Sequence, residues 1–162
     1  METGWILPDL SNEASRGFWE GCADRELRIQ TCSACGSMRM PPRPMCPECR
    51  SISYGWTKMS GEGRIWSFVV AHPPLLPAYA ELAPYPVATI ELVEDPMIRI
   101  VGGLVGGPDL EPGAVDPSTI EIGDPVHVVF AQVEDVTIPR WTSAKWARAD
   151  SPHRAPSPGS SR

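Results

Sequence analysis

The sequence lacks the features that mark membrane or secreted proteins. No stretch approaches 18 uninterrupted apolar residues, and the first ten residues have no basic start followed by an apolar run. We therefore expect a cytoplasmic protein with no membrane partner. The sequence also lacks a glycine-rich phosphate loop and a nucleophile elbow, so nothing in it indicates a nucleotide-dependent enzyme or a serine hydrolase.

Histidine is scarce, with three residues in the whole chain. His72 precedes two prolines and could act as a general base toward a partner's active site, but no second residue is placed to orient it. A turn-capping role is the favoured interpretation. We predict no catalytic residue here and no activity of the chain alone.

Long helices are also excluded, because 19 prolines and 14 glycines among 162 residues indicate short elements and many turns. The apolar spacing predicts one short amphipathic helix between Ser11 and Glu26. It is followed by a strand at 27–31 and by six further strand-like runs, at 52–59, 63–71, 87–93, 97–105, 125–133 and 136–141. This pattern indicates a mainly β protein, either a small sandwich or, as we favour, a closed barrel of the OB type.

The cysteines point to a metal. Four of the five fall in two tight pairs, Cys32-x-x-Cys35 and Cys46-x-x-Cys49, separated by ten residues. Four thiolates at about 2.3 Å form the closed tetrahedral shell of a structural zinc ion. An iron centre uses the same ligands and stays open as an alternative. The fifth cysteine, Cys22, is predicted to be a buried residue of the helix.

The charges are unevenly distributed along the chain. From Arg25 to Arg50 there are five basic and two acidic residues, whereas from Glu81 to Asp135 there are eleven acidic residues and one basic residue, Arg99. Four aromatic side chains of the predicted barrel could stack nucleobases, which makes a single-stranded nucleic-acid-binding module the alternative function; they are Tyr54, Trp56, Trp66 and Phe68. An acidic barrel is unsuited to phosphates, so no nucleic-acid partner is expected, and we assign these side chains to core and interface packing.

Three arginines of the basic segment and three aromatics are candidate contacts for CoA or for a partner chain. The arginines, Arg39, Arg43 and Arg50, could meet phosphates or an acidic patch, or only offset the charge of the metal centre. The aromatics are Phe18 and Trp19 on the helix and Trp141 after the last strand, with Trp146 beside it.

The order of these motifs resembles a known family. Phe18-Trp19-Glu20 precedes the first cysteine pair, Pro41-Pro42-Arg43 lies between the pairs, Ser60-Gly61-Glu62-Gly63 follows the second, and Ile122-Gly123-Asp124-Pro125-Val126 comes later. Together they are similar to the zinc-ribbon OB-fold family of thiolase-associated proteins, over about residues 15 to 141. One departure is Asp95-Pro96, which replaces a glycine turn.

The resemblance implies an N-terminal helical segment at 1–26, a rubredoxin-like zinc ribbon at 27–53 and an OB-fold barrel at 54–148, with a disordered tail at 149–162. It further implies a hetero-oligomer with a thiolase-like subunit acting on acyl-CoA substrates. Members of this family look like subunits of steroid side-chain aldolase and acetoacetyl-CoA-handling complexes. There they hold the thiolase-like subunit and border its CoA entrance.

Overall fold

The computed structural model describes residues 4–107 and 112–146, so the predicted disordered tail lies outside the described residues. Two sheets and two α-helices make up the fold, with a 3-10 turn at Pro117–Thr119, which confirms the mainly β class with an N-terminal ribbon and a C-terminal OB barrel. The elements in chain order are α1 Arg16–Ala23, β1 Arg28–Cys32, β2 Met38–Arg39, β3 Tyr54–Lys58, β4 Glu62–Ala71, α2 Pro77–Ala80, β5 Tyr85–Leu92, β6 Arg99–Gly103, β7 Pro125–Val133 and β8 Val136–Thr142.

The ribbon is a three-stranded antiparallel sheet in the order β2-β1-β3. Strand β3 pairs along the whole of β1, from Arg28 opposite Lys58 to Cys32 opposite Tyr54. Strand β3 is hydrogen-bonded to β1 within this sheet, and the domain boundary between residues 53 and 54 stays a prediction.

The barrel is a five-stranded sheet in the order β6-β5-β4-β7-β8. Its two edge strands approach each other at one end, where Leu104 and Trp141 form a parallel bridge and the Val105 amide donates to the Trp141 carbonyl at 2.9 Å. Trp141 is fully buried at the centre of the core. A Cβ added at Gly63 would lie 2.4 Å from Ile90, so glycine is required for this close packing.

Helix α1 is shorter than predicted, because residues at and just before its predicted start make turns of their own. The Asp9 carboxylate accepts from the Ser11 amide at 2.8 Å, and the Asn12 side chain accepts from the Ala14 amide at 3.0 Å. These local bonds compete with helix formation, and the helix therefore begins only at Arg16. It packs against β1 of the ribbon and β8 of the barrel.

A second helix, α2, lies in the proline-rich connection after β4, where the sequence predicted no helix. Pro77 occupies its first turn, a position where the missing amide hydrogen costs nothing. The ring of Tyr79 on this helix contacts Trp5 of the N-terminal segment edge to face, with centroids 4.8 Å apart. No helix among the described residues is long and apolar enough to cross a bilayer.

Candidate functional site: a four-cysteine metal centre

The metal centre is built from two loops of the same design. In the first loop the Gly36 amide donates to the Cys32 carbonyl at 2.9 Å, and in the second the Arg50 amide donates to the Cys46 carbonyl at 2.9 Å. Both donors adopt the left-handed backbone conformation, with φ of 75° at Gly36 and 61° at Arg50. The tight turns direct each pair of sulfurs to one point.

The four sulfurs lie within 4.8 Å of one another, a group that holds Cys32, Cys35, Cys46 and Cys49. Two of their separations are 3.5 Å, between Cys32 and Cys49, and 3.7 Å, between Cys35 and Cys46. A tetrahedron with metal–sulfur bonds of about 2.3 Å has edges of about 3.8 Å, so the donor set fits a tetrathiolate ion. All four coordination positions are then filled by protein.

Backbone amides prepare two of these thiols for metal binding. The Cys35 amide lowers the pKa of the Cys32 thiol to about 6, and the Cys49 amide lowers the pKa of the Cys46 thiol. Since the thiolate is the species that binds a metal, these amides favour the ligating form. A closed shell leaves no coordination position for water or substrate. The ion therefore has a structural role, which is to hold the ribbon together.

Family models match both parts of the chain. The model described as "ChsH2, rubredoxin-like zinc ribbon domain" covers residues 19–52, and the one described as "ChsH2, C-terminal OB-fold domain" covers residues 56–131. The chain belongs to the ChsH2 (DUF35) family. This membership confirms the resemblance read from the sequence, and it identifies the ion at the four cysteines as structural zinc.

Three similar proteins carry names of hydratase subunits or of an aldolase. The "Probable enoyl-CoA hydratase alpha subunit" of Thermomonospora curvata is 39% identical over 136 residues, which are 83% of this chain and 39% of that protein. The "3-oxo-4,17-pregnadiene-20-carboxyl-CoA hydratase alpha subunit" of Mycobacterium tuberculosis is 35% identical over 136 residues, 84% of this chain and 40% of that protein. The chain thus spans about two fifths of the length of these two relatives. A solved structure named "Ltp2-ChsH2(DUF35) aldolase" matches with a TM-score of 0.72 and 35% identity, over 85% of this chain and 99% of that one.

The fifth cysteine of this DUF35 chain is not part of the metal centre. Cys22 lies on α1 with no exposed surface, and burial raises the pKa of its thiol to about 12. It packs as a small apolar residue in the core that the helix shares with the barrel.

The three candidate arginines differ in their surroundings. Arg39 is 6% exposed, and its Nε donates to the Gln30 side-chain oxygen at 2.6 Å. The same oxygen accepts from the backbone amide of Arg43 at 2.8 Å, so Arg39 and Gln30 fix the chain between the cysteine pairs. The side chains of Arg43 and Arg50 are exposed. Their contact with CoA or a partner stays a prediction.

Gln30 is a functional residue that the sequence reasoning missed. It is fully buried in β1, and its one oxygen accepts both of the bonds that hold the loop carrying Arg43. The sequence signal that could have identified Gln30 is its position as a polar residue directly after Ile29, in a strand next to the first cysteine.

The candidate aromatic contacts are also divided by burial. Phe18 is 4% exposed and Trp141 has no exposed surface, which makes both of them core residues in this structure. Trp146 is buried as well, at 6%. Trp19 is half-buried beside Phe18, with ring centroids 4.9 Å apart, and retains surface for a partner. Whether any of these side chains contacts a partner is untested and stays a prediction.

One aromatic considered for packing lies instead on the outer face of the barrel. Trp66 is 47% exposed, and the Arg99 guanidinium carbon lies 4.0 Å from its ring centroid. The pairing gives the acidic barrel a fixed cationic group on this face.

Proposed function

We propose that the chain is a non-catalytic accessory subunit that forms a cytoplasmic hetero-oligomer with a thiolase-like enzyme acting on an acyl-CoA thioester. The observation that supports this most strongly is the likeness to the DUF35 chain of the Ltp2-ChsH2(DUF35) aldolase, which extends over 99% of that chain. The reaction class is carbon–carbon bond cleavage or formation. The CoA ester of a steroid acid in the name of one relative supports a steroid or lipid acyl group.

Within such a complex, the zinc ion and the ribbon have a structural role. When bound, zinc cross-links two loops that otherwise have little core of their own, and this fixes where the exposed Arg43 and Arg50 stand. Guanidinium groups form strong charge-assisted bonds with phosphates. We therefore assign Arg43 and Arg50 to the border of the partner's CoA entrance, and Trp19 to contact with the partner protein.

The surroundings of His72 and His127 support the view that the catalytic residues belong to the partner. The side chains of His72 and His127 are exposed, and neither has a hydrogen-bond partner among the residues that the structure describes. A general base needs such a group to fix its orientation.

The proposal is tested by co-expression with a thiolase-like protein from the same genome. We expect the two to co-purify, and the acyl-CoA cleavage activity of the partner to depend on the presence of this chain. The double variant Arg43→Glu, Arg50→Glu is expected to raise the KM for the acyl-CoA or to weaken the complex. Arg64→Glu, an exposed arginine of the barrel, is the matched control and is expected to change neither. If the proteins do not co-purify and the partner is equally active without this chain, the proposal is wrong.

A further inference from the structure

A cavity of about 730 Å³ lies between the barrel, helix α1 and the N-terminal segment. Its walls are mostly apolar and include Leu7, Phe18, Ile100, Val133 and Ile138. The volume falls in the range of about 300–1,000 Å³ that is typical of small-molecule sites. Of the residues given a role above, Trp19 also lines this cavity, while Arg43 and Arg50 do not.

The cavity lies beside the two edge strands of the barrel. Strands β6 and β8 are the edges of the sheet, and their bridge involves Leu104 and Trp141. Further along, the cavity is lined by Gly102 and Gly103 of β6 and by residues 138–140 of β8. Gly103 contributes no side chain to this lining, whereas Gly102 packs directly on the Trp141 ring, where a Cβ would lie 2.7 Å away.

The chain's own N-terminal segment forms one wall of the cavity. Trp5 packs on Tyr79, and the Ile6 amide donates to the Tyr79 hydroxyl at 3.3 Å. The segment is therefore fixed to α2 while residues 5–9 line the cavity. A partly open cavity of this volume, fixed on one side by the chain's own segment, suits a small molecule with an apolar body.

The charges in the lining indicate what such a molecule carries. Arg99 and Arg140 both line the cavity, and Arg99 is the one basic residue between Glu81 and Asp135. The Trp66 ring holds the Arg99 guanidinium in place, and its buried Nε has no hydrogen-bond partner among the described residues. Among the described residues of the lining, the acidic side chain is Asp9, and it is already bonded to Ser11. A ligand with an apolar body and a carboxylate or carbonyl oxygen at one end complements this arrangement.

We propose that the cavity is a binding site for the apolar acyl portion of a steroid or lipid acid, with the carboxyl or thioester oxygen at Arg99. This inference rests on the proposed function, because it places on this subunit part of the acyl group that the partner would act on. The binding itself requires no partner. It is therefore tested on the purified, zinc-loaded full chain, and its failure would leave the co-purification result unaffected.

The experiment is a titration of the 15N-labelled chain with cholate, kept below its micelle concentration, followed by heteronuclear NMR. Cholate methyl ester and acetate are run in parallel to separate the steroid body from the carboxylate. We expect saturable shifts at cavity residues with cholate and none with acetate. Replacing Arg99 with Met removes one charged hydrogen bond and should weaken cholate binding about 10- to 100-fold while changing methyl ester binding little. Arg64→Met is the matched control.

A second variant fills the space directly. The Cβ of Gly103→Leu would lie 3.4 Å from Pro112, another lining residue, so the new side chain enters the cavity without a clash at its base. Gly55→Leu, on the ribbon at a position with nothing within 4 Å, is its control. We expect cholate binding to be lost only in Gly103→Leu. No saturable binding, shifts confined to other surfaces, or equal affinity in both leucine variants would each overturn the proposal.

Discussion

The packing of helix α1 on the ribbon gives the sharpest stability prediction. Alanine is favoured over glycine inside a helix by about 1 kcal/mol, so Gly17→Ala would be stabilising on propensity alone. In this structure a Cβ at position 17 would lie 2.2 Å from the Trp56 indole nitrogen and 2.3 Å from the adjacent ring carbon. An indole is rigid and cannot bend away at one atom, so the ring or the helix must shift.

Overpacking of this kind costs typically about 1–3 kcal/mol, and the severe overlap places Gly17→Ala at the upper end. Subtracting the propensity gain leaves a net destabilisation of about 2 kcal/mol. For a chain of this size that corresponds to a fall in Tm of about 4–8 °C. Thermal unfolding followed by far-UV circular dichroism, with zinc present throughout, measures it.

The control is the double variant Gly17→Ala, Trp56→Val, in which the overlapping ring is absent. The free energy of unfolding of this double variant should be about 1–3 kcal/mol higher than the value obtained by adding the changes of the two single variants. The reason is that residues in contact are energetically coupled in double-mutant cycles. A Gly17→Ala chain that melts at or above the parent temperature would refute the reasoning, because the contact between α1 and Trp56 would then be absent or freely adjustable.

Two further predictions concern the cysteines. Cys46→Ser is expected to abolish binding of the one zinc ion per chain, as measured by elemental analysis. Cys22→Ser, at an equally buried position, should retain the zinc and lose only stability. Equal zinc content in both variants would contradict the ligand assignment. Because burial raises the pKa of the Cys22 thiol to about 12, almost no thiolate exists at pH 8. Iodoacetamide should therefore label Cys22 only after unfolding in guanidinium with a chelator, as measured by mass spectrometry. Labelling of the native chain at the rate of the unfolded chain would count against the burial of Cys22.

The sequence allowed the metal centre and most strands to be predicted, because their signals are local. The spacing within each cysteine pair forces a turn whatever surrounds it, and the alternation in β7 gave its bounds, Pro125–Val133, without error. Strand β2 has only two residues and exists through its pairing with Gln30 and Thr31 of β1, so no periodicity could reveal it.

The burial of Trp141 and the cavity could not be predicted in the same way. A tryptophan near the end of the last strand is equally consistent with an exposed anchor and with a core residue. What decides is the bridge to Leu104, which is a contact between distant parts of the chain. The cavity likewise depends on where Trp5 and Tyr79 meet, since its cover and its floor come from segments that share no sequence pattern.

The composition of α1 makes the folding of this helix depend on zinc binding. An eight-residue helix is far shorter than the about 12–15 residues needed for marginal stability in isolation, and Gly17 and Gly21 weaken it further. Its order therefore depends on packing against β8 of the barrel and against the ribbon, where Trp56 lies on a strand paired with β1 beside the metal centre. We expect the apo chain to lose helical order at α1, so that metal scarcity would disable a part of the surface that contains no ligand.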